Sequence, residues 1–205
     1  MVFFQEKRME HNYHHSIISS KKDMKNWLLY ERKKYKSVTR FCNLFSITED
    51  DFIWKYQKHL RKTEYYLNTN KTIRYLISRS LLYRLQAKYG MKIKPNSCGK
   101  GLHIMHMGSI LTNGDIGEDC SIHINVSVVS GGRDKGVPVI GNNVVIGVGA
   151  VVLGGVQIAD GIAIGANALV NKSFDEPNIA IAGCPAKKIS NNGRESWANK
   201  NKDVE

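Results

Sequence analysis

The chain has 205 residues and a mass of 23.1 kDa, with 42% hydrophobic residues, enough for one well-buried domain with an appendage but not for two independent enzymatic domains. Its opening, MVFFQEKRMEHNYHHS, has no apolar core followed by a small-residue cleavage site, and no run approaches the ~20 apolar residues of a membrane span, so a soluble, cytoplasmic protein is expected. The net charge of +12 is one-sided: residues 1–100 carry 22 Lys and Arg against 8 Asp and Glu (+14), and residues 101–205 carry 8 against 10 (−2), which suits an anionic ligand or an anionic membrane face, while no nucleic-acid motif accompanies the charge.

Residues 1–19 carry His11, His14 and His15 without periodicity and are expected to be disordered or irregular. An α-helical N-terminal domain is expected over 20–95. Ser20-Lys-Lys-Asp23 reads as a capping box that opens a helix through Trp27, Leu28 and Tyr30, and Thr48-Glu-Asp-Asp51 repeats the device ahead of Phe52, Trp54, Tyr56 and Leu60. The acids of that second cap fall in the first turn, where the helix dipole favours them. A third helix is predicted from Thr72 to Tyr89, stopped by Gly90. Met91 to Asn96 reads as a link.

Beyond it an apolar residue returns every sixth position: Cys98, Ile104, Ile110, Ile116, Ile122 and Val128, then Ile140, Ile146, Val152, Ile158, Ile164 and Val170. A helix needs a period of 3.6 and a hairpin strand strict alternation, so a sustained six matches neither and predicts a hexapeptide parallel β-helix over 96–189. Three hexapeptides make one turn, which stacks Ile104 on Ile122, Ile140 and Ile158, and Ile110 on Val128, Ile146 and Ile164. The polar Asp134 breaks the series between Val128 and Ile140, so that side is expected to loop outward. Residues 190–205 read as a polar tail. Cys42, Cys98, Cys120 and Cys184 form no CxxC pair, and two of them fall on inward positions, which argues for reduced thiols rather than disulfides or a metal site.

Only side chains fit inside such a prism, so chemistry must lie on its outer wall, in a groove shared with another copy. His103, His106 and His123 break the pattern on early turns, and the eighteen-residue stacking of His106 on Ile124 brings His106 and His123 together. An imidazole near its ordinary pKa is what a general base for a hydroxyl requires. Asn113 and the loop residues Arg133, Asp134 and Lys135 are candidates for substrate contact. Gly149, Ala150, Ala166 and Ala168 would let an extended cofactor arm run along the wall, with Lys172 and Lys187 at its phosphates.

The stretches GLHIMHMGSI, IGEDCSIH, PVIGNNVVIGVGAVVLGG, IGANALVNKSF and IAGCPAKKI resemble the hexapeptide-repeat acyltransferases, in their serine acetyltransferase-like branch. The resemblance implies a left-handed β-helix, a homotrimer with sites between subunits, and transfer of acetyl from acetyl-CoA to a hydroxyl, with no metal. It places the catalytic histidine on His106, with backbone amides for the oxyanion, and His123 in an assisting role. Asp134, Asp115 or a backbone carbonyl would orient His106. The N-terminal pieces ISSKKDMKNWLLYE and KYQKHLRKTEYY are similar to a subgroup that acetylates surface polysaccharide, so a carbohydrate acceptor, anionic or neutral, is expected, with free serine as the alternative. Two departures favour the carbohydrate: Met105 stands where serine acetyltransferases carry an acid, and Gly136 and Val137 stand where they carry an Arg-His pair.

Overall fold

The computed structural model describes residues 14–39, 46–131 and 136–199. Helices α1 (Lys21–Arg32), α2 (Glu49–Asn68) and α3 (Thr72–Tyr89) come first. Their ends follow the local chemistry. The Ser20 side chain accepts from the Asp23 N–H, Thr48 and Asp51 close a reciprocal capping box, and Gly90 ends α3 in the left-handed region at φ 73°.

The rest is a parallel β-helix of short strands: β1 (Met91–Ile93), β2 (His103–Ile104), β3 (Ile110–Thr112), β4 (Asp115–Ile116), β5 (Ser121–Ile122), β6 (Val126–Val129), β7 (Val139–Ile140), β8 (Val145–Ile146), β9 (Val151–Leu153), β10 (Gln157–Ile158), β11 (Ala163–Ile164), β12 (Leu169–Val170) and β13 (Ala180–Ala182). They form three walls. The first wall is β1-β3-β6-β9-β12, the second is β4-β7-β10, and the third is β2-β5-β8-β11-β13, closed by the antiparallel β14 (Lys187–Ser190). Isolated bridges from Cys98 to Ile116 and from Ile158 to Phe174 extend the second wall at both ends.

The interior is built from the six-residue set. Ile104, Ile122, Ile146, Ile164 and Ile181 stack along the third wall, and Ile116, Ile140 and Ile158 along the second, each at most 3% exposed. Burial of each such side chain is worth about 1.5–3 kcal/mol before the entropy of ordering the chain. Cys98 and Cys120 belong to this core, and burial pushes both thiols up to about 12.

The columns differ from those predicted from spacing. Ile122 pairs with Ile146 rather than Ile140, Ile116 with Ile140, and Val128 with Val152. Each of these steps is 24 residues instead of 18, because six residues more than in a regular turn fall between the end of β6 at Val129 and the start of β7 at Val139. Ile110 likewise pairs with Val126, not Val128. The prism also starts earlier than the expected boundary at 96, since β1 already pairs with β3.

A parallel β-helix exposes unpaired backbone at its open end, and the helices cover it. The guanidinium of Arg61 donates to the carbonyls of Cys98 and Gly99 at 2.9 and 2.7 Å, and Gln57 donates to that of Leu102 at 2.9 Å. Backbone N–H groups are met too: Gly101 donates to Glu31, Ile104 to the Tyr35 hydroxyl and Ile93 to that of Tyr56. Arg61 is itself fully buried between Glu31 at 2.7 Å and Glu64 at 2.9 Å. The expected polar tail contains α4 (Arg194–Asn199), whose Arg194 donates to the Asp119 carbonyl and to Ser121 Oγ at 2.9 Å, on the turn next to the helix-covered one.

Residues 14–19, expected to be poorly ordered, are irregular in backbone but packed. Ile18 is buried, and His14 and His15 reach Asp115 at 2.9 and 3.1 Å. His11 lies outside the described residues. Of the apolar residues along α3, Leu82 is buried while Ile73, Leu76, Ile77 and Leu81 face outward.

Candidate functional site

His106 sits at the corner where the chain leaves the third wall for the first. Its ring is 55% exposed, and it lies 6.2 Å, centroid to centroid, from His123 on the corner of the next turn. The predicted juxtaposition of these two histidines is therefore present. Burial lowers the pKa of His123, and the neighbouring His106 lowers it further. His103 belongs elsewhere: its ring packs edge-on against Tyr35 at 5.3 Å, and burial, reinforced by Lys34 and Arg194, depresses it to about 4.

The group that meets His106 is Glu49, in the first turn of α2. Glu49 Oε2 lies 3.3 Å from His106 Nδ1, and Oε1 accepts from the Met107 N–H at 2.7 Å. In the sequence Glu49 is marked only as an acid suited to the helix dipole, and no spacing signal connects two residues 57 apart in different elements. Asp115, one of the expected orienting groups, is on the second wall and is held by His14 and His15. Those hydrogen bonds outweigh the effect of burial and hold its carboxyl at about 2.

The placement of Glu49 rests on its neighbours in the cap. Asp51 is buried and accepts from the backbone N–H groups of Thr39, Ile47 and Thr48 and from the Thr39 hydroxyl. Burial alone would raise this carboxyl, but the four hydrogen bonds prevail and set it at about 2. The start of α2 is thus pinned beside the corner that carries His106.

Below His106 and His123 the same edge continues through Gly147, Gly165, Ala166 and Ala182, as the ladder Met105 to Ile122, His123 to Ile146, Gly147 to Ile164 and Gly165 to Ile181 records. Small residues keep this edge low. Stacking requires some of them: a Cβ at Gly147 would come within 2.7 Å of the Ile164 carbonyl, and Gly149, at φ 71°, faces the Asn167 side chain. Lys187, exposed and paired in β14 with Ala182, stands at the foot of the edge.

The remaining predicted residues separate into three groups. Ala150 and Ala168 are 0 and 1% exposed, so their side chains fill the core and cannot line a cofactor arm. Asn113 and Lys172 are exposed but follow β3 and β12, at the corner between the first and second walls. That is the edge from which the segment between β6 and β7 leaves, a different corner of the prism from His106. Arg133, Asp134 and Lys135 lie outside the described residues. Among the described residues, no group of three or more His, Cys, Asp or Glu side chains is placed to hold a metal ion, and no helix is long and apolar enough to cross a membrane.

No family model matches the chain. The chain is 37% identical over 121 residues to the serine acetyltransferase of Helicobacter pylori strain J99, covering 57% of this chain and 70% of that protein. It is 34% identical over 130 residues to the serine acetyltransferase of Buchnera aphidicola, covering 59% and 49%. Among solved structures, the serine acetyltransferase of Brucella abortus superposes with a TM-score of 0.63 at 22% identity over 85% of this chain and 72% of that one. That of Neisseria gonorrhoeae superposes with a TM-score of 0.62 at 23% identity over 90% and 71%. These relatives correct the expectation of a polysaccharide acceptor, because the similar sequences are named for serine and not for a glycan.

Proposed function

The chain belongs to the serine acetyltransferase-like family of hexapeptide-repeat acyltransferases, and on that premise we propose that it transfers acetyl from acetyl-CoA to the hydroxyl of serine, with His106 as general base. Membership makes it an acetyl-CoA-dependent O-acetyltransferase; the acceptor and the residue roles are our reading. The observation that carries it is the exposed His106 at the head of a low edge, with Nδ1 engaged by a carboxylate. That arrangement leaves Nε2 as the basic nitrogen directed at a ligand.

The residues present fit a long thioester donor. Gly147, Gly165 and Ala166 would leave room for its extended arm along the edge, and Lys187 would meet its phosphates. When bound, acetyl-CoA supplies the acetyl group as a thioester. His106 takes the hydroxyl proton of the acceptor as that oxygen becomes the nucleophile, and His123, whose pKa is lowered, stands beside it as a neutral polar contact.

We read the active form as a homotrimer of left-handed β-helices. What supports self-association is the outward side of the first wall, where Leu111 is 40% exposed and Val129, Val151, Leu153 and Leu169 are half-buried. With three such walls facing a common axis, the His106 edge of one copy meets the Asn113 and Lys172 edge of the next. The residues that one subunit holds apart would then share a groove.

The test is release of free CoA thiol from acetyl-CoA by the purified protein, with L-serine and with a glycan panel as acceptors, alongside its mass by light scattering. O-acetylserine formation by a species of three chains, abolished in His106→Ala, is expected. Turnover with a glycan but not with serine would overturn the acceptor, and full activity of His106→Ala would overturn the base.

A further inference from the structure

We propose that Glu49, reaching the site from the helical domain, is the positioning residue for His106; the inference rests on the reading of His106 as the base. Four observations on the molecule carry it. The contact is two-pronged: one carboxylate oxygen lies 3.3 Å from His106 Nδ1 and the other accepts the next residue's N–H at 2.7 Å. The carboxylate therefore fixes both the ring and the backbone that bears it. Second, Glu49 occupies the first turn of a 20-residue helix with a closed capping box, where the dipole favours an anion. Third, α2 is anchored to the β-helix further along by Gln57 and Arg61, which bond the carbonyls of Leu102, Cys98 and Gly99. Its N-terminus is consequently held relative to the corner at 106 by two separate attachments. Fourth, Met105 precedes the histidine, so the chain offers no carboxylate from that position.

The chemical consequence concerns the tautomer. A carboxylate at Nδ1 can only accept, so Nδ1 carries the proton and Nε2 keeps the lone pair that a base needs. A carboxamide in its place can donate to Nδ1 and invert the assignment. The titratable groups beside His106 are Glu49 from α2 and His123 from the next turn. Glu49 is half-exposed, so its loss leaves the fold intact, and it acts on the reaction only through His106.

The experiment compares Glu49→Gln and Glu49→Ala with Asp50→Asn, a change in the adjacent acid of the same helical turn, whose recorded bond is to the Ser37 N–H. Expected for both Glu49 variants is a fall in kcat of about tenfold or more with KM for serine within about twofold. That effect is short of the ~10⁴-fold seen at a buried triad carboxylate, because this pair is open to solvent. Asp50→Asn should keep wild-type turnover. In a His106→Ala background, Glu49→Gln should have no further effect, since the two act as a unit. The readout that structure alone would not move is the imidazole ¹⁵N spectrum: His106 should be protonated at Nδ1 in the wild type and shift toward Nε2 protonation in Glu49→Gln, with circular dichroism unchanged. Unaltered His106 nitrogen shifts, or a Glu49→Gln kcat equal to that of Asp50→Asn, would overturn the proposal. If the wild type does not acetylate serine at all, the functional reading fails, and the nitrogen spectrum still decides whether Glu49 sets the tautomer.

Discussion

The later turns of the prism and its helix-covered end are stabilised by opposite means. From β7 to β12 the interior is a set of apolar columns in which Ile140, Ile146 and Ile164 each touch isoleucines above and below, and Ile158 lies between Ile140 and Phe174. At the covered end, cohesion comes from buried polar groups: Arg61 between Glu31 and Glu64, Gln57 against Glu31 and Leu102, and Tyr35 against Gln57 and Ile104. Aliphatic contacts are non-directional and shared, whereas each buried charge depends on named partners. Directional bonding is what can hold Glu49 within reach of His106, and the site lies at that end.

The comparison can be broken most forcefully at Arg61. Arg61→Ala leaves two carboxylates and two carbonyls buried without their donor and is expected to cost about 3–5 kcal/mol in urea unfolding. Hydrogen exchange should show the loss concentrated in α1 and α2, with amides of β8 to β12 still protected. Next in size is Ile146→Ala, which opens a cavity in a column at a cost of about 2–5 kcal/mol. There the pattern should reverse: the later turns exchange faster, and the α2 contacts to the first turn remain. Equal exchange patterns in the two variants would mean that the molecule unfolds as one unit and that the distinction has no thermodynamic content.

The smallest expected effect is a dependence on acid. Burial sets the His103 imidazole at about 4 in the folded chain against an ordinary 6.5, so the unfolded chain binds the proton first. The contribution is absent above pH 6.5 and destabilises progressively as pH falls from 6.5 through 4. His103→Phe, which retains a ring against Tyr35, should flatten that part of the stability curve as followed by thermal melts. An unchanged acid limb would place the sensitivity elsewhere.

Much of this was legible in the chain itself, and the reasons are local. The caps at Ser20, Thr48 and Gly90 depend on residues within four positions of one another, and the wall strands on a repeat of six. Reading failed where the count and the geometry part company. The sequence keeps its six-residue phase across Asp134, yet six residues more than a regular turn fall between β6 and β7, so every column drawn across that point was displaced by one wall. Ala150 and Ala168 were misplaced for a related reason: small residues at a β-helix corner fill the interior or line the outside, and composition does not distinguish the two. Glu49 was invisible as a site residue because its role depends on how the helical domain docks, which Gln57 and Arg61 determine through backbone carbonyls that carry no sequence signature.

The 24-residue turn also bears on how such a chain can diversify. Register above and below it is specified by β6 and β7 and their partners, not by the number of residues between Val129 and Val139. The prism is therefore indifferent to length at that one point, and segments of other sizes can be exchanged there without shifting a single interior isoleucine. A change confined to that point would leave the columns on either side with the partners they have.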